Sequence, residues 1–236
     1  MSEDDIARGP IADSNSPPEA SAATTQGFPS PKRLLQLGFY IEGGCLLAAL
    51  VLGSLGFCDA NQPLGDFFRL DYRATISWTI GGLLATFVIA ATILYIPLRP
   101  FREFRDFVNH FLSPVFEPFS LGQIALLSAS AGIGEEMLFR WCLQGGLQTV
   151  FAGWFGAVGA LCVASVVFGL CHAMSLMYVV AASLIGGLLG TIMLLSGSVV
   201  PAILTHAIYD FVAILILRQS GRANAKRAPA ADGTPE

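Results

Sequence analysis

Two carboxylates and a guanidinium stand in the stretch 132–140, Gly-Ile-Gly-Glu-Glu-Met-Leu-Phe-Arg, within an otherwise uncharged and apolar segment at about 119–143. An isolated charge near the centre of a bilayer costs at least about 2.5–3.5 kcal/mol on insertion scales, so such residues are usually paired and functional. On a helix, Glu136 and Arg140 lie on one face, where they can pair, while Glu135 points about 100° away. This spacing leaves Glu135 available for chemistry.

Two later patterns repeat this helical spacing. In Phe168-Gly-Leu-Cys-His172 the phenyl ring and the imidazole share a face, so the ring would wall the pocket of the imidazole. In His206-Ala-Ile-Tyr-Asp210 two polar groups share a face, as groups that serve one cavity would. A lone histidine in an apolar span is usually structural. Two histidines and three carboxylates in helices that must pack together favour a functional site.

These three patterns, in this order and on successive membrane helices, resemble the CPBP family of intramembrane proteases, which includes the CAAX prenyl endopeptidases and bacteriocin-processing or self-immunity proteins. The resemblance covers about residues 119–217. It implies a glutamate-dependent intramembrane endopeptidase that hydrolyses a peptide bond of a membrane-associated or leader-type peptide. The site residues that it implies are Glu135, Glu136, Arg140, His172, His206 and Asp210.

Peptide hydrolysis needs an activated water and donors for the developing oxyanion. Because Glu136 is committed to Arg140, Glu135 is the expected general base, and His172 beside it would hold or share the proton of the water. The Glu136–Arg140 pair would fix the helix and the charge of the pocket. His206 would donate to the oxyanion.

Asp210 departs from the family pattern, which commonly has Asn at this position. An amide can donate a hydrogen bond to an oxyanion, whereas an ionised carboxylate can only accept one. Two alternatives follow. Either Asp210 is protonated by burial near Glu135 and supports the oxyanion, or it orients His206.

No cofactor is expected, and zinc is the alternative within the enzyme class. Two histidines with carboxylates can form a catalytic zinc site, and its ligands here would be Glu135, His172 and His206. The chain has no His-Glu-x-x-His signature, and the ligands would have to come from three helices. Outside the enzyme class, the alternatives are a catalytically silent membrane scaffold or bacteriocin-immunity protein, and a proton-coupled carrier.

The composition is that of a membrane protein. Of 236 residues, 54% are hydrophobic and 13% are charged, and the mean hydropathy is +0.64, which excludes an ordinary soluble globule. We predict an all-α, polytopic transmembrane helical bundle of about six spans plus one interfacial amphipathic helix. The spans are expected at about 34–57, 75–96, 119–143, 153–173, 176–195 and 198–217.

The interfacial helix is predicted between the second and third spans, where phenylalanines fall on one face and charged side chains largely on the other. It is expected to end at Pro114 and Pro118. The predicted organisation is a disordered acidic tail rich in Pro, Ser and Ala (1–33), two spans and the interfacial helix (34–118), a catalytic core (119–217) and a basic disordered tail (218–236).

Basic residues orient the bundle. With the amino terminus inside, ten of the thirteen Lys and Arg residues lie in cytoplasmic stretches, Arg69 and Arg73 lie outside, and Arg140 lies within a span. Both termini are therefore predicted to be cytoplasmic, in a membrane taken to be the bacterial cytoplasmic membrane. The expected partners are membrane lipids and a peptide or protein substrate, including a lipid-anchored one. The small net charge of −4 suggests no nucleic-acid partner.

Three further expectations concern packing. Glu42, inside the first span, would snorkel or bond to a neighbouring helix. The five cysteines are interpreted as small core residues rather than a disulfide framework.

Glu135 lies about 15 Å from a turn near Gly145, but His172 lies about 28 Å from Gly153. The two side chains meet only if the uncharged segment 145–156 dips into the membrane, or if the fourth helix is tilted or starts late, so we expect that segment to be partly buried.

Overall fold

The computed structural model describes residues 29–58, Gly65, Phe68, 71–151 and 153–227. Every regular element within these residues is a helix, so the predicted all-α class is confirmed. The predicted amino-terminal tail up to position 28, and the end of the chain from position 228, lie outside the described residues.

Among the described residues, four helices, α1, α2, α8 and most of α9, are long and apolar enough to cross a membrane. The other two expected spans differ from these. In α7 the apolar stretch is Gly156–Cys171, which is shorter than each of these four helices. The helix α5 continues through π2 into α6. The helices are α1 (Pro31–Ser54), α2 (Tyr72–Tyr95), α3 (Arg99–Phe107), π1 (Val108–Leu112), α4 (Ser113–Phe116), α5 (Leu121–Glu136), π2 (Met137–Gln144), α6 (Gly145–Val150), α7 (Gly153–Cys171), α8 (Leu176–Ser196) and α9 (Val200–Arg227).

Polar side chains determine where the membrane helices begin. The Ser120 hydroxyl accepts the backbone N–H of Gln123, whose side chain in turn accepts the N–H of Ser120, so α5 starts with a capping box. Asp71 and Ser175 cap α2 and α8 by accepting N–H groups of the first turn. These bonds satisfy donors that the first turn of a helix leaves without an intrahelical partner.

The helix that carries Glu135 is longer than the predicted span 119–143. Because α5, π2 and α6 are continuous, the helical run extends to Val150, and we call this run, 121–150, the central helix. The turn expected near Gly145 is therefore wrong. Glu135 lies about 22 Å from the end of the central helix, which approaches the 28 Å or so between Gly153 and His172. This extension is what brings the two side chains to a similar depth.

The expected burial of the segment 145–156 is confirmed for Gly145, Gly146 and Gly156, whereas Gly153 is exposed. A Cβ atom on Gly146 would collide with the backbone carbonyl of Phe57. The chain just beyond α1 therefore packs directly on the central helix.

The interfacial helix is present as the run 99–116, formed by α3, π1 and α4. Its phenylalanines Phe101, Phe104 and Phe107 are half-buried, and its charged side chains Arg102, Glu103 and Asp106 are exposed. The expected end at Pro114 is wrong, since the run continues to Phe116 before Pro118. A proline in a regular α-helix lacks an N–H and clashes with the preceding turn. The wider turn of π1, directly before Pro114, gives the ring room.

The last helix is also longer than predicted. α9 continues to Arg227, so residues 218–227, expected in a disordered basic tail, are helical. A Cβ atom on Gly221 would lie 2.7 Å from the backbone oxygen of Ser113. This close contact with α4 holds the extension of α9 against the interfacial helix.

Cys58 and Cys142 form a disulfide, which contradicts the expectation that the cysteines are separate core residues. Just beyond the end of α1, Gly56 adopts the left-handed conformation, at a φ of 80°. The N–H of Phe57 bonds back to the carbonyl of Leu52, so the chain reverses in a Schellman motif. That reversal directs Cys58 toward the central helix. Apolar periodicity carries no signal for a bond between positions 84 residues apart.

Two glycines beside the acidic pair allow neighbouring helices to approach closely. A Cβ atom on Gly134 would collide with the backbone carbonyl of Glu42 on α1. A Cβ atom on Gly132 would lie 2.9 Å from the carbonyl oxygen of Ile203 on α9. Small residues are the usual means of close helix packing in membranes. The central helix therefore touches α1 and α9 on either side of the acidic residues.

We expect Gly134→Ala to lower the stability of the protein by about 1–3 kcal/mol, because the added methyl meets backbone that can yield only by moving α1. The control is Gly122→Ala on the same helix, where no atom lies within 4 Å of the added methyl. That change should be neutral or slightly stabilising. Thermal unfolding in detergent measures both. Equal melting temperatures for the two variants would contradict the contact.

Candidate active site

Glu136, Arg140 and His206 form a buried hydrogen-bonded network. Arg140 Nε donates to Glu136 Oε2 at 2.9 Å, and both side chains are fully buried. The other carboxylate oxygen, Oε1, lies 2.9 Å from His206 Nδ1, which donates to it because a carboxylate only accepts. The structure therefore contains the pair expected from the i, i+4 spacing. It also shows that the carboxylate of Glu136 joins the central helix to α9.

Arg140 has a second contact on α7. Its guanidinium carbon lies 5.2 Å from the centre of the Phe168 ring, within the range of a cation–π interaction. Nη1 and Nη2 are buried without a hydrogen-bond partner among the described residues. The cation is thus held by one carboxylate and one aromatic face, which makes it sensitive to the loss of Glu136.

Glu135 faces both histidines. Its Oε1 lies 3.8 Å from His172 Nε2, and its Oε2 lies 3.9 Å from His206 Nε2. These distances are too long for direct hydrogen bonds and suit groups that act on a molecule held between them. The structure therefore brings together three helices at Glu135, as the patterns on the sequence predicted.

His172 occupies the first turn position after α7. Its Nδ1 lies 2.8 Å from the carbonyl oxygen of Phe168, and since a carbonyl only accepts, Nδ1 donates. In the neutral ring this leaves the lone pair of Nε2 directed at Glu135. The Phe168 ring lies 4.7 Å from the imidazole, which confirms that it walls the pocket. On another side the Tyr178 ring stacks on the imidazole at 6.2 Å.

Asp210 lies one turn beyond His206 on α9. Its Oδ2 is 3.5 Å from His206 Nε2, at the upper limit of a hydrogen bond. The His206 ring is therefore held tightly at Nδ1 by Glu136 and only loosely at Nε2 by Asp210. Nε2 remains the atom of this ring that can turn toward another group.

The exposure of these side chains shows where the site opens. Glu136 and Arg140 are at 0%, Glu135 is at 10%, and His172 and Asp210 are at 27% and 28%. The accessible edge therefore lies at the end of α7, beside the first turn of α8. Phe104 of the interfacial helix packs on Tyr178 there, with ring centres 6.0 Å apart.

The structure thus brings all six predicted site residues into one cluster. Two neighbours of the cluster were not assigned to it from the sequence. Tyr178 reaches His172 from the start of α8, and a lone tyrosine in an apolar span carries no pattern that would reveal this. Glu42 lies in the interface between α1 and the central helix, and its carboxylate inside an apolar span was the available signal.

The described residues contain no group of three or more His, Cys, Asp and Glu side chains arranged to hold a metal ion. In the zinc alternative the ligands would be Glu135, His172 and His206. The Nδ1 of His206 donates to Glu136, as the second ring nitrogen of a metal-binding histidine commonly does, so Nε2 is the atom of this ring that would face a metal. The steps proposed below use only groups of the chain itself.

Residues 117–212 match the family model described as type II CAAX prenyl endopeptidase Rce1-like. Because of this match, we call the segment 117–212 the Rce1-like domain. It contains all six clustered residues and confirms the resemblance to the CPBP family in this part of the chain. No curated protein and no solved structure matches the chain. The Rce1-like domain begins at the end of the interfacial helix, so α1 and α2 pack against it from outside the matched segment.

We expect Arg140→Ala to destabilise the protein by about 3–5 kcal/mol, as breaking a buried ion pair does in soluble proteins, because Glu136 is left without its cation. The double variant Glu136→Gln with Arg140→Met should be more stable than Arg140→Ala alone. The control is Arg99→Ala, whose partner Glu103 is exposed. Yield and thermal unfolding in detergent test this. A melting temperature of Arg140→Ala equal to that of the control would mean that the pair contributes nothing.

Proposed function

We propose that the protein is an intramembrane endopeptidase that hydrolyses a peptide bond of a membrane-associated or leader-type peptide. The Rce1-like domain supports the class of enzyme. The observation that carries the proposal is the pairing of Glu135 with His172, whose facing atoms are 3.8 Å apart in a largely buried site that is open at one edge.

A water between these two groups can donate one hydrogen to the Glu135 carboxylate and the other to His172 Nε2. Its lone pair then points away from both and can attack a carbonyl carbon. As the C–O bond forms, Glu135 takes the proton of the water, and it later returns this proton to the leaving nitrogen when the C–N bond breaks. His172 keeps the water in position because its Nδ1 is fixed by Phe168.

His206 supports the oxyanion in this proposal. The bond from Nδ1 to Glu136 favours a protonated ring, so Nε2 carries a hydrogen that can be donated to the developing negative charge. Arg140 fixes the carboxylate of Glu136, and through it the ring. Asp210 supports the same charge as a protonated donor, since the His206 ring is already oriented from its other side by Glu136.

The first test replaces the base. Glu135→Gln should lower kcat/KM at least about 100-fold while the protein stays folded, because the amide keeps the shape but cannot accept the proton. The control is Glu103→Gln, an exposed carboxylate on α3. The probes are a quenched peptide that ends in a prenylated Cys-aliphatic-aliphatic-X motif and a comparison of membrane peptidomes from cells that make either variant. Dialysis of the wild-type enzyme against a strong chelator should leave its activity unchanged.

Activity of Glu135→Gln near the wild-type level would rule out Glu135 as the base. An unchanged peptidome, together with a silent wild-type enzyme, would favour a membrane scaffold or immunity protein. Loss of activity on dialysis, with recovery on addition of zinc, would favour the metal alternative.

The second test concerns Asp210. Asp210→Asn should retain most of the activity, because an amide donates to an oxyanion without needing a proton from solution. Asp210→Leu, which cannot donate, should lower kcat more than KM rises. An Asn variant as weak as the Leu variant would mean that the charge of Asp210 is needed, as it would be if this residue oriented His206.

We also propose that both termini are cytoplasmic. The count of basic residues supports this orientation. With the termini on this side, Cys58 and Cys142 lie toward the outer end of the bundle. Their disulfide supports the orientation, because disulfides persist in oxidising compartments rather than in the cytosol. The open edge beside His172 would then face the cytoplasmic half of the membrane.

A reporter that is active only in the cytoplasm should be active when fused to Glu236. The matched fusion after Cys58, beyond α1, should be inactive, because the orientation directs that position to the outer side. Reversed activities of the two fusions would overturn the orientation without affecting the assignment of the site.

A further inference from the structure

Glu42 is a buried carboxylate outside the Rce1-like domain. It lies near the middle of α1 and its exposure is 9%. Its Oε2 is buried and has no hydrogen-bond partner among the described residues. The side chain therefore does not snorkel to the membrane surface, which was one of the two expectations from the sequence. An unpaired carboxylate at this depth is costly and is retained where it serves a function.

The backbone contact at Gly134 brings Glu42 to the site. Because Gly134 has no Cβ, the carbonyl of Glu42 sits directly against the central helix, one residue before Glu135. The Glu42 carboxylate interacts electrostatically with His206 and Asp210 as well as with Glu135. Glu42 thus faces the cluster from α1, which lies outside the matched segment.

Glu135 has a matching unsatisfied atom. Its Oε2 is buried without a hydrogen-bond partner among the described residues, while Oε1 faces His172. The carboxylates of Glu42 and Glu135 repel each other when both are ionised. Two carboxylates that share a buried site do not both stay ionised, and a single proton between them turns repulsion into a hydrogen bond.

We propose that Glu42 is a positioning residue for Glu135: its carboxyl group keeps a proton and donates a hydrogen bond to Glu135 Oε2. This inference rests on the proposed function, because it assigns Glu135 as the base. The bond satisfies both buried oxygens. It also holds the carboxylate so that Oε1 points at the water and at His172. The hydrogen stays on Glu42 throughout, so the proton from the water still moves to Glu135 and then to the leaving nitrogen.

The experiment compares Glu42→Leu with Glu42→Gln in the purified full-length protein, with the prenylated quenched peptide as the probe. Leucine cannot donate, so kcat should fall about 10- to 100-fold, the range typical for loss of a partner that orients a metal ligand, while KM changes little. Glutamine donates through its amide and should recover most of the lost activity. Glu103→Leu, which removes an exposed carboxylate of the interfacial helix, should have wild-type kinetics.

A wild-type kcat for Glu42→Leu would overturn the proposal. So would a Gln variant as slow as the Leu variant, because the hydrogen bond would then not be the contribution of Glu42. A rise in KM with kcat unchanged would instead indicate contact with the substrate and would also contradict positioning.

A second measurement does not depend on a substrate. Thermal unfolding of Glu42→Leu, Glu135→Gln and the double variant forms a cycle, and a direct bond requires that the two single effects are not additive. Additive effects would count against the bond even if the Leu variant were slow. Activity of Glu135→Gln would contradict the proposed function itself. A dead Glu135→Gln with a fully active Glu42→Leu would remove this inference alone.

Discussion

The bond between Glu136 and Arg140 determines which side of the central helix faces the interior of the bundle. Neither charge can be left toward lipid, so the helix turns this side inward. There the carboxylate meets His206 on α9 and the guanidinium meets Phe168 on α7. Once Glu136 is held, the adjacent Glu135 is rotated about 100° onto the next face, toward His172 and α1. The position of Glu135, the proposed base, is thus a consequence of a pair that takes no direct part in the proposed reaction.

The glycines before the acidic pair determine how closely the neighbouring helices approach the central helix. Charges draw α7 and α9 to the central helix, but they do not set how near a neighbouring backbone can come. Gly132 and Gly134 do so, for α9 and α1 respectively. A bilayer offers little hydrophobic drive between helices, so packing through small residues supplies much of the contact. The short motif therefore combines close approach with charge pairing in consecutive residues.

Local spacing was sufficient to predict much of the site. The pairs Glu136 with Arg140, Phe168 with His172 and His206 with Asp210 follow from helical periodicity alone, and the structure shows each pair in contact. The end of the central helix could not be predicted in this way. Gly145 and Gly146 resemble a helix end, yet they are helical and buried. A glycine that ends a helix and one that admits a neighbouring backbone look the same in a sequence.

The other differences also arise from contacts between distant residues. α9 extends past its apolar part because Gly221 packs on the interfacial helix. Cys58 reaches Cys142 because the chain reverses at Gly56. Tyr178 and Glu42 join the cluster through the packing of α8 and α1, which no spacing within one helix encodes.

The bond between Cys58 and Cys142 closes a covalent loop that contains α2, the interfacial helix and most of the central helix up to π2. In a fully flexible chain, a loop of this length lowers the entropy of the unfolded state by an amount equivalent to about 4–5 kcal/mol. The value is an upper bound in a membrane, where separated helices remain inserted and are already ordered. The loop keeps α1 at high effective concentration beside the central helix. The helix that carries Glu42 is therefore tethered to the helix that carries Glu135 even when the contacts between them open.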